Sequence, residues 1–537
     1  MELELESFTL CTLMQLFTNI PFASTLCLSL AIIIITLVIL TTFSSSLFLR
    51  WPKINTFFCN CETCQAYLTS SWSKTFNNLC DWYAHLLRKS PTNTIHIHVL
   101  RNTITANPGN VEYMLKTRFH NFPKGKTFST ILGDFLGQGI FNVDGESWSF
   151  QKKMASFELS KNSIRSFAFE VVKFEIQHRL VPLLVLSKQN DCVLDLQDVF
   201  KRFSFDSICR FSFGLDPMCL ERSLPISEFA MSFDLASKLS AERAMSVSPL
   251  IWKIKRFLNV GSEKKLREAI KMIDILAKEV IRQRRKMGSV SPHKEDLLSR
   301  FMRTVTDDTF LKDIIVSFLL AGRDTVASAL TSFFWLLAKH PEVESQILLE
   351  AERIIGSDYN KDLTSYEELQ QLHYLQAAAY ESMRLYPPIQ FDSKFCLEDD
   401  VLPDGTFVKR GTRVTYHPYA MGRLEEIWGS DCFEFRPERW LKEGLFFPQN
   451  PFKYPVFQAG MRVCLGKEMA LLELKSVALS LLRRFHIELA APPPHHHHHS
   501  TPRFSPGLTA TFSCGLRVKV REQGAQQQHT TQPPHHS

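Results

Sequence analysis

The stretch "PVFQAGMRVCLGKEMALLELK", Pro455–Lys475, decides how the chain is read. One cysteine, Cys464, stands four residues after Gly460 and two before Gly466, with Arg462 close by. An amphipathic helical pattern starts directly behind it. The thiol therefore falls at a helix N-terminus, where unpaired N–H groups and the helix dipole favour a thiolate. Gly460 permits a tight turn before the cysteine, and Gly466 leaves room for a large flat group to approach the backbone. Phe457 can shield the sulfur from water, and Arg462 can neutralise a carboxylate on the same flat group.

An isolated cysteine is most simply a buried thiol, and that suits most of the 13 cysteines of this chain. The ordered set Phe457, Gly460, Arg462, Cys464 and Gly466 describes something more specific: an axial thiolate beneath haem, with Arg462 on a propionate.

The composition permits such a site. The 537 residues allow two or three domains, or one large one, and 45% hydrophobic against 22% charged content marks a mainly globular chain. The 43 phenylalanines suit a large interior able to enclose an apolar ligand. A net charge of +7 is modest for this length. It fits a membrane surface or an acidic protein partner, and no basic run or aromatic–basic interleaving points to nucleic acid. The cysteines are odd in number and lack framework spacing, which suits a reducing compartment. The cluster "CNCETC" (Cys59, Cys61, Cys64), with Cys80 further on, has no second CxxC or HxxxH partner nearby to close a zinc tetrahedron.

Ser24–Phe43 contains no charged residue and has about the 20 residues that cross a bilayer. A cleaved signal peptide would carry a basic start, but no Lys or Arg precedes Arg50. Glu2, Glu4 and Glu6 before the span, with Arg50 and Lys53 after it, place the N-terminus in the lumen and the body in the cytosol. Residues 1–50 are therefore expected to form a membrane anchor, with its span at about 24–43, and residues 51–522 the main domain. A Pro/His-rich surface loop at 491–502 holds five consecutive histidines, and residues 523–537 read as a disordered Gln/His-rich tail.

Within the body, "TIHIHVL" (Thr94–Leu100) alternates as a strand does. Helical patterns follow over 147–159, 166–186, 264–287, 311–339, 341–355 and 366–385. Strands return at "TFVKRGTRVTYH", and "LTATFSCGLRVKV" reads as a hairpin. The class is mostly α with small β-sheets (α+β). "GDFLGQGIFNVDG" holds Gly137 and Gly139, but follows no convincing strand and has Asn142 at the third glycine position, so it is not read as a dinucleotide loop.

"FQAGMRVCLG" resembles the haem-binding signature FxxGxRxCxG of the cytochrome P450 superfamily, and further landmarks follow in the family's order. "YESMR" supplies Glu381 and Arg384, similar to the ExxR pair, and "FRPERW" supplies Arg439, similar to the third member of that buried network. "AGRDT" (Ala321–Thr325) resembles the oxygen-activating segment of the long central helix. "WSFQK" resembles the helix whose Trp148 and basic residue, here Lys152 rather than the commoner Arg, contact a propionate. Alone, each has a plainer account: Glu381 and Arg384 as an ordinary i,i+3 pair, Thr325 bonding back one turn, Trp148 as core. Their joint order over about Thr94 to Val520 carries the resemblance. One departure is the missing proline-rich hinge after the anchor, of which only "RWPK" remains.

The resemblance implies a cytochrome P450 fold, a haem cofactor, and a single-pass enzyme of the endoplasmic reticulum membrane with its catalytic domain in the cytosol. Asp324 and Thr325 can relay protons or order water. Haem-thiolate enzymes that rearrange hydroperoxides do without that relay, so its presence favours a monooxygenase using O2 and two electrons. Those electrons would come from NADPH through a flavoprotein, NADPH–cytochrome P450 reductase, whose acidic face Lys152, Lys153 and Lys467 could complement. "PPIQFDSKF" and "DDVLPDGTFVKRGTRVTYHPYAMGRLEEIWG" resemble plant family 94, most of all its subfamily C. That implies oxidation at the chain end of jasmonoyl-amino acid conjugates, including 12-hydroxy-jasmonoyl-isoleucine to its 12-carboxy product. A general fatty-acid ω-hydroxylase is the alternative, and a non-catalytic haem-binding protein a more distant one. The segments at 125–145, 389–394 and 513–516 fall where this superfamily lines its pocket. Lys124, Lys126 and Lys394 are candidates to hold the carboxylate of a small apolar substrate at the pocket mouth.

Overall fold

Apolar side chains recurring every three or four residues shape most of the body into helices, and the computed structural model shows how they pack. It describes residues 59–523 apart from 60, 222, 225–226, 247, 288–295, 358–364 and 491–500. The expected membrane span, the histidine run and the tail beyond Gln523 lie outside the described residues. From Thr63 on, the chain forms one compact unit.

The elements that position the site are, in chain order, α1 (Leu79–Lys89), β1 (Thr94–Ile97), β2 (Asn102–Thr105), α2 (Gly125–Leu136), α3 (Gly145–Leu159), α4 (Asn162–Glu175), β3 (Leu194–Asp195), α5 (Leu196–Phe213), α6 (Glu228–Met245), α7 (Pro249–Leu258) and α8 (Gly261–Met287). Then come α9 (Asp308–Leu337), α10 (Pro341–Ile355), α11 (His373–Leu385), β4 (Asp392–Phe395), β5 (Arg413–Tyr416), α12 (Lys467–Leu482), β6 (Phe485–Leu489), β7 (Phe504–Ser505), β8 (Thr511–Phe512) and β9 (Arg517–Glu522). The content is mostly helical with small sheets, as the sequence pattern leads one to expect.

The 30-residue α9 is long and apolar enough to cross a bilayer, but 72% of its most apolar stretch is buried, so here it is a core helix. It lies against α5, which Asp195 caps at the start through Gln197 N–H and Gly214 ends in the left-handed region (φ 62°). The approach of the two helices is close. A Cβ on Gly322 of α9 would stand 2.5 Å from the Ile208 side chain of α5. Gly137 and Gly139 have a similar reason. A Cβ at either would collide with Asp313 or Ser317 of α9, and Asp313 accepts the Gln138 N–H at 2.7 Å. The glycine-rich turn packs on a helix and follows no strand, which agrees with setting aside a dinucleotide loop.

One sheet has the order β1-β2-β5-β4, with β2 and β5 parallel. A second has the order β6-β9-β3. The expected hairpin in "LTATFSCGLRVKV" does not form: β8 pairs with β7, and β9 lies between β6 and β3. Asp195 is the cause. Its carboxylate accepts the Leu516 N–H at 2.8 Å and draws β9 onto β3. Two other expected boundaries also shift. "TIHIHVL" stops being a strand at Ile97. The run 366–385 breaks after Gln370, because Glu350 of α10 accepts Tyr374 N–H and Leu375 N–H and starts a new helix there.

The tightest polar knot joins α11 to the 422–440 segment. Glu381 and Arg384 are both fully buried. Arg384 pairs with Glu381 through two bonds, at 2.7 and 2.8 Å, and donates to the carbonyls of Gly422, Cys432 and Glu434. Glu381 also accepts from Arg439 Nε (3.0 Å), Trp440 Nε1 (2.9 Å) and the Arg436 N–H (3.0 Å). Breaking one partner of a buried pair leaves the other charge uncompensated, which typically costs about 3–5 kcal/mol. Glu381→Gln should lower the stability measured by urea unfolding by that order, whereas Glu438→Gln, on the exposed side of the same segment, should leave it within about 1 kcal/mol.

Candidate active site

The thiol of Cys464 is set by backbone bonds before any side chain acts. Its N–H donates to Phe457 O at 2.8 Å, which closes the loop between the two residues. Within that loop Gly460 has φ 58°, and a Cβ there would meet Leu115 O at 2.2 Å, so both conformation and space demand glycine. Gly466 differs: its φ is ordinary (−89°), and a Cβ would meet nothing within 4 Å. That glycine faces open space beside the sulfur. Phe457 lies 6.0 Å from the Tyr380 ring, and the Lys467 ammonium stands over both rings.

Cys464 is accessible along this open side. Burial by the surrounding protein nevertheless pushes its pKa up, while the N–H groups of Gly466 and Lys467 and the Lys467 charge pull the other way. The helix-terminus effect expected from the sequence is present and is outweighed by burial.

Cations gather on one flank of this loop. Arg462 donates to Asp144 at 2.5 Å and to Val143 O, and its guanidinium lies 4.6 Å from the Trp148 ring. Lys152 reaches back to Met461 O and stands 5.3 Å from the same ring. Lys152 is therefore turned inward, and burial followed by the Arg462 charge lowers its pKa. Of the three lysines expected to face a reductase, Lys153 is exposed, while Lys152 and Lys467 lean on the loop instead.

The sequence reading misplaced a second pair. Lys124 and Lys394 are buried rather than at a pocket mouth, and both pair with Asp392. Burial lowers the pKa of Lys394 to about 7, with Asp392 opposing and Lys124 and Arg462 adding to the drop. Tyr416 OH joins Asp392 to Gln458, so this cluster touches the cysteine loop. Only Lys126 of the three candidates stays exposed. The sheet register was the missing signal: β4 pairs with β5, and that turns Lys394 inward opposite Val414.

The central helix is widened. Leu320–Asp324 form a π turn, a feature found mostly at functional sites. Thr325 donates its hydroxyl to Ala321 O at 2.5 Å, the back-bond that the plainer reading of this residue expects. Asp324 is buried, and its carboxylate accepts from Arg323 at 2.9 Å.

Comparison with known proteins places this geometry. The family model described as Cytochrome P450 matches residues 72–505. The chain is 60% identical over 469 residues to "Cytochrome P450 94C1" of Arabidopsis thaliana, covering 87% of this chain and 94% of that protein. It is 46% identical to "Cytochrome P450 94B1" of Arabidopsis thaliana (84% and 89% covered) and 43% identical to "Cytochrome P450 94A1" of Vicia sativa (78% and 82% covered). The chain belongs to the cytochrome P450 family, within its plant family 94. It is accordingly a monooxygenase that uses haem and O2, with electrons from a reductase partner.

The residues present fit haem. Four cations, Arg462, Lys124, Lys152 and Lys394, face two carboxylates, Asp144 and Asp392, which leaves a surplus suited to a flat group bearing two propionates. Among the described residues the buried Arg462 Nε has no partner, and it is a donor that such a carboxylate would satisfy. Gly466 offers the clearance a macrocycle needs next to a sulfur. The two glycines should therefore respond differently. Gly460→Ala forces a left-handed alanine against Leu115 O and should cost about 1–3 kcal/mol of stability. Gly466→Leu should leave thermal unfolding of the haem-free chain close to wild type while abolishing haem uptake, as read by the Soret absorbance per protein.

Proposed function

We propose that the protein oxidises the chain end (ω position) of jasmonoyl-amino acid conjugates, including 12-hydroxy-jasmonoyl-isoleucine to the 12-carboxy product. The observation that carries this is the graded likeness within family 94. Identity is 60% to the 94C relative, against 46% and 43% to the 94B and 94A relatives. The subfamily C likeness is what implies the substrate.

In this reading the Cys464 sulfur would hold the haem iron, with Phe457, Gly460 and Gly466 shaping its loop. Arg462, Trp148 and Lys152 would meet the propionates, and Lys124 and Lys394, close to Arg462, would add to that positive flank. Glu381, Arg384 and Arg439 are structural. Bound haem supplies the oxidising chemistry, which a thiolate ligand favours. The chain's own work is positional. Thr325 Oγ1 and the Asp324 carboxyl hold and pass protons within a largely apolar helix. A primary C–H bond is harder to break than its secondary neighbour, so end selectivity must come from a pocket that admits only the chain tip. With Lys124 and Lys394 buried beside Asp392, Lys126 is the exposed lysine of the three and the one within reach of a substrate carboxylate at a pocket mouth.

We place residues 1–50 in the endoplasmic reticulum membrane as a single span, with the body, residues 51–522, in the cytosol and residues 523–537 as a tail. For contact of the body with lipid, support comes from α7, a short helix that exposes Leu250, Ile251, Ile254, Phe257 and Leu258 and carries Lys253, Lys255 and Arg256. Apolar and basic groups together suit a lipid surface.

Full-length protein with NADPH and its reductase, given 12-hydroxy-jasmonoyl-isoleucine and a simple fatty acid in competition, tests the substrate. Accumulation of the dicarboxylic product by mass spectrometry is the expected result. Brisk ω-hydroxylation of the fatty acid with no turnover of the conjugate would assign the protein to general fatty-acid oxidation instead.

A further inference from the structure

Asp324 is held by a chain of charges that begins at the surface. The Arg323 guanidinium is buried in the π turn of α9, with the Phe205 and Phe233 rings 5.9 and 5.8 Å away. One of its nitrogens, Nη1, donates to two carboxylates: Asp324 Oδ1 at 2.9 Å and Asp234 Oδ1, on α6, at 2.5 Å. Lys201 of α5 holds the other oxygen of Asp234 at 3.2 Å. Side-chain exposure falls along the chain from 41% at Asp234 to 3% at Arg323 and 7% at Asp324. Three separate elements thus converge on the residue beside Thr325.

We infer that Asp234 is a positioning residue for Asp324: by taking a share of Arg323, it prevents a two-toothed Arg323–Asp324 pair and keeps the Asp324 carboxyl able to exchange a proton. This rests on the relay role proposed above for Asp324 and Thr325.

Three observations support it. An arginine and a carboxylate left to themselves pair through two parallel bonds. Here Asp324 receives one, and among the described residues its Oδ2 accepts no hydrogen bond. Arg323 Nε is buried and, among the described residues, has no partner, so the guanidinium makes no side-on two-toothed pair with either carboxylate. Finally, charges of both signs act on Asp324. Burial raises its pKa, Arg323 lowers it, Asp234 raises it and Lys201 lowers it, with the net direction upward. Cys209 of α5 also feels the Arg323 charge, and burial, before any charge, raises its pKa and keeps it a neutral thiol.

The signs of these effects give a test that general damage to the fold would not mimic. Asp234→Asn removes a like charge and releases Arg323 to Asp324, so the Asp324 carboxyl should titrate at lower pH. Lys201→Met removes a positive charge, so the same carboxyl should titrate at higher pH. Each shift should be about one pH unit, the scale of a nearby charge. The readout is the protonated-carboxyl infrared band that disappears in Asp324→Asn, followed against pH in full-length, haem-loaded protein. A second readout is the share of NADPH electrons released as peroxide. It should rise several-fold in Asp234→Asn and return towards wild type in Asp234→Glu.

Opposite shifts of the band in Asp234→Asn and Lys201→Met support the assignment. An unmoved band, or shifts of the same sign, in variants that keep the wild-type carbon monoxide spectrum overturns it. Thr325→Ala separates the two ideas. If it raises peroxide release and Asp234→Asn does not, the role of Asp234 falls while the relay stands. If Thr325→Ala releases no extra peroxide, the relay falls, and the infrared shifts alone decide whether Asp234 holds Asp324.

Discussion

The structure depends on one buried carboxylate. Glu381 has no solvent contact. It is neutralised by two guanidinium groups and satisfied further by an indole N–H and a backbone N–H. A carboxylate so placed is tolerable only when every lone pair is met, so the segments that supply the donors are fixed with it. The preceding residue, Tyr380, carries the constraint onward. Its carbonyl accepts from Tyr454 OH at 3.0 Å, its ring stacks 5.5 Å from Tyr454, and it meets Phe457 at 6.0 Å. Phe457 O in turn holds the Cys464 N–H. The loop that presents the thiol therefore rests on α11 through a short run of rings and one carboxylate.

The interior carries more charge than stability alone would select. Arg323, Arg384 and Lys394 are all buried, as are Asp324 and Glu381. Replacing such groups by apolar residues is often neutral or stabilising, so their presence points to work that apolar groups cannot do. Several of these charges belong to two clusters. The Lys124–Asp392–Lys394 group lies with Arg462, and the Asp234–Arg323–Asp324 group lies behind Thr325. The first suits an anionic edge. The second holds the buried Asp324 carboxyl beside Thr325.

Much of this was legible in the sequence because it depends on local spacing. The Gly460 turn, the cysteine loop, the i,i+3 pair Glu381–Arg384 and the long apolar α9 each follow from residues close together in the chain. What was not legible depends on register and long-range contacts. Nothing near Lys394 tells that a parallel neighbour, β2, and the pairing of β4 with β5 will turn it inward beside Arg462. Nothing in "LTATFSCGLRVKV" tells that Asp195, more than 300 residues earlier, will claim the Leu516 N–H and undo the hairpin. The break after Gln370 is likewise made by Glu350 from another helix. The π turn at 320–324 leaves no mark in the apolar periodicity, although Gly322, needed where α9 meets Ile208, hints that this part of the helix is crowded.

Whether Cys464 supplies the sulfur ligand of the haem iron is tested most directly by the absorption spectrum of the reduced carbon monoxide complex. In full-length Cys464→His that still takes up haem, the red-shifted band diagnostic of thiolate ligation should be gone, while wild type shows it. A variant that keeps this band would contradict the assignment, and with it the reading of the Phe457–Gly466 loop as the ligand cradle.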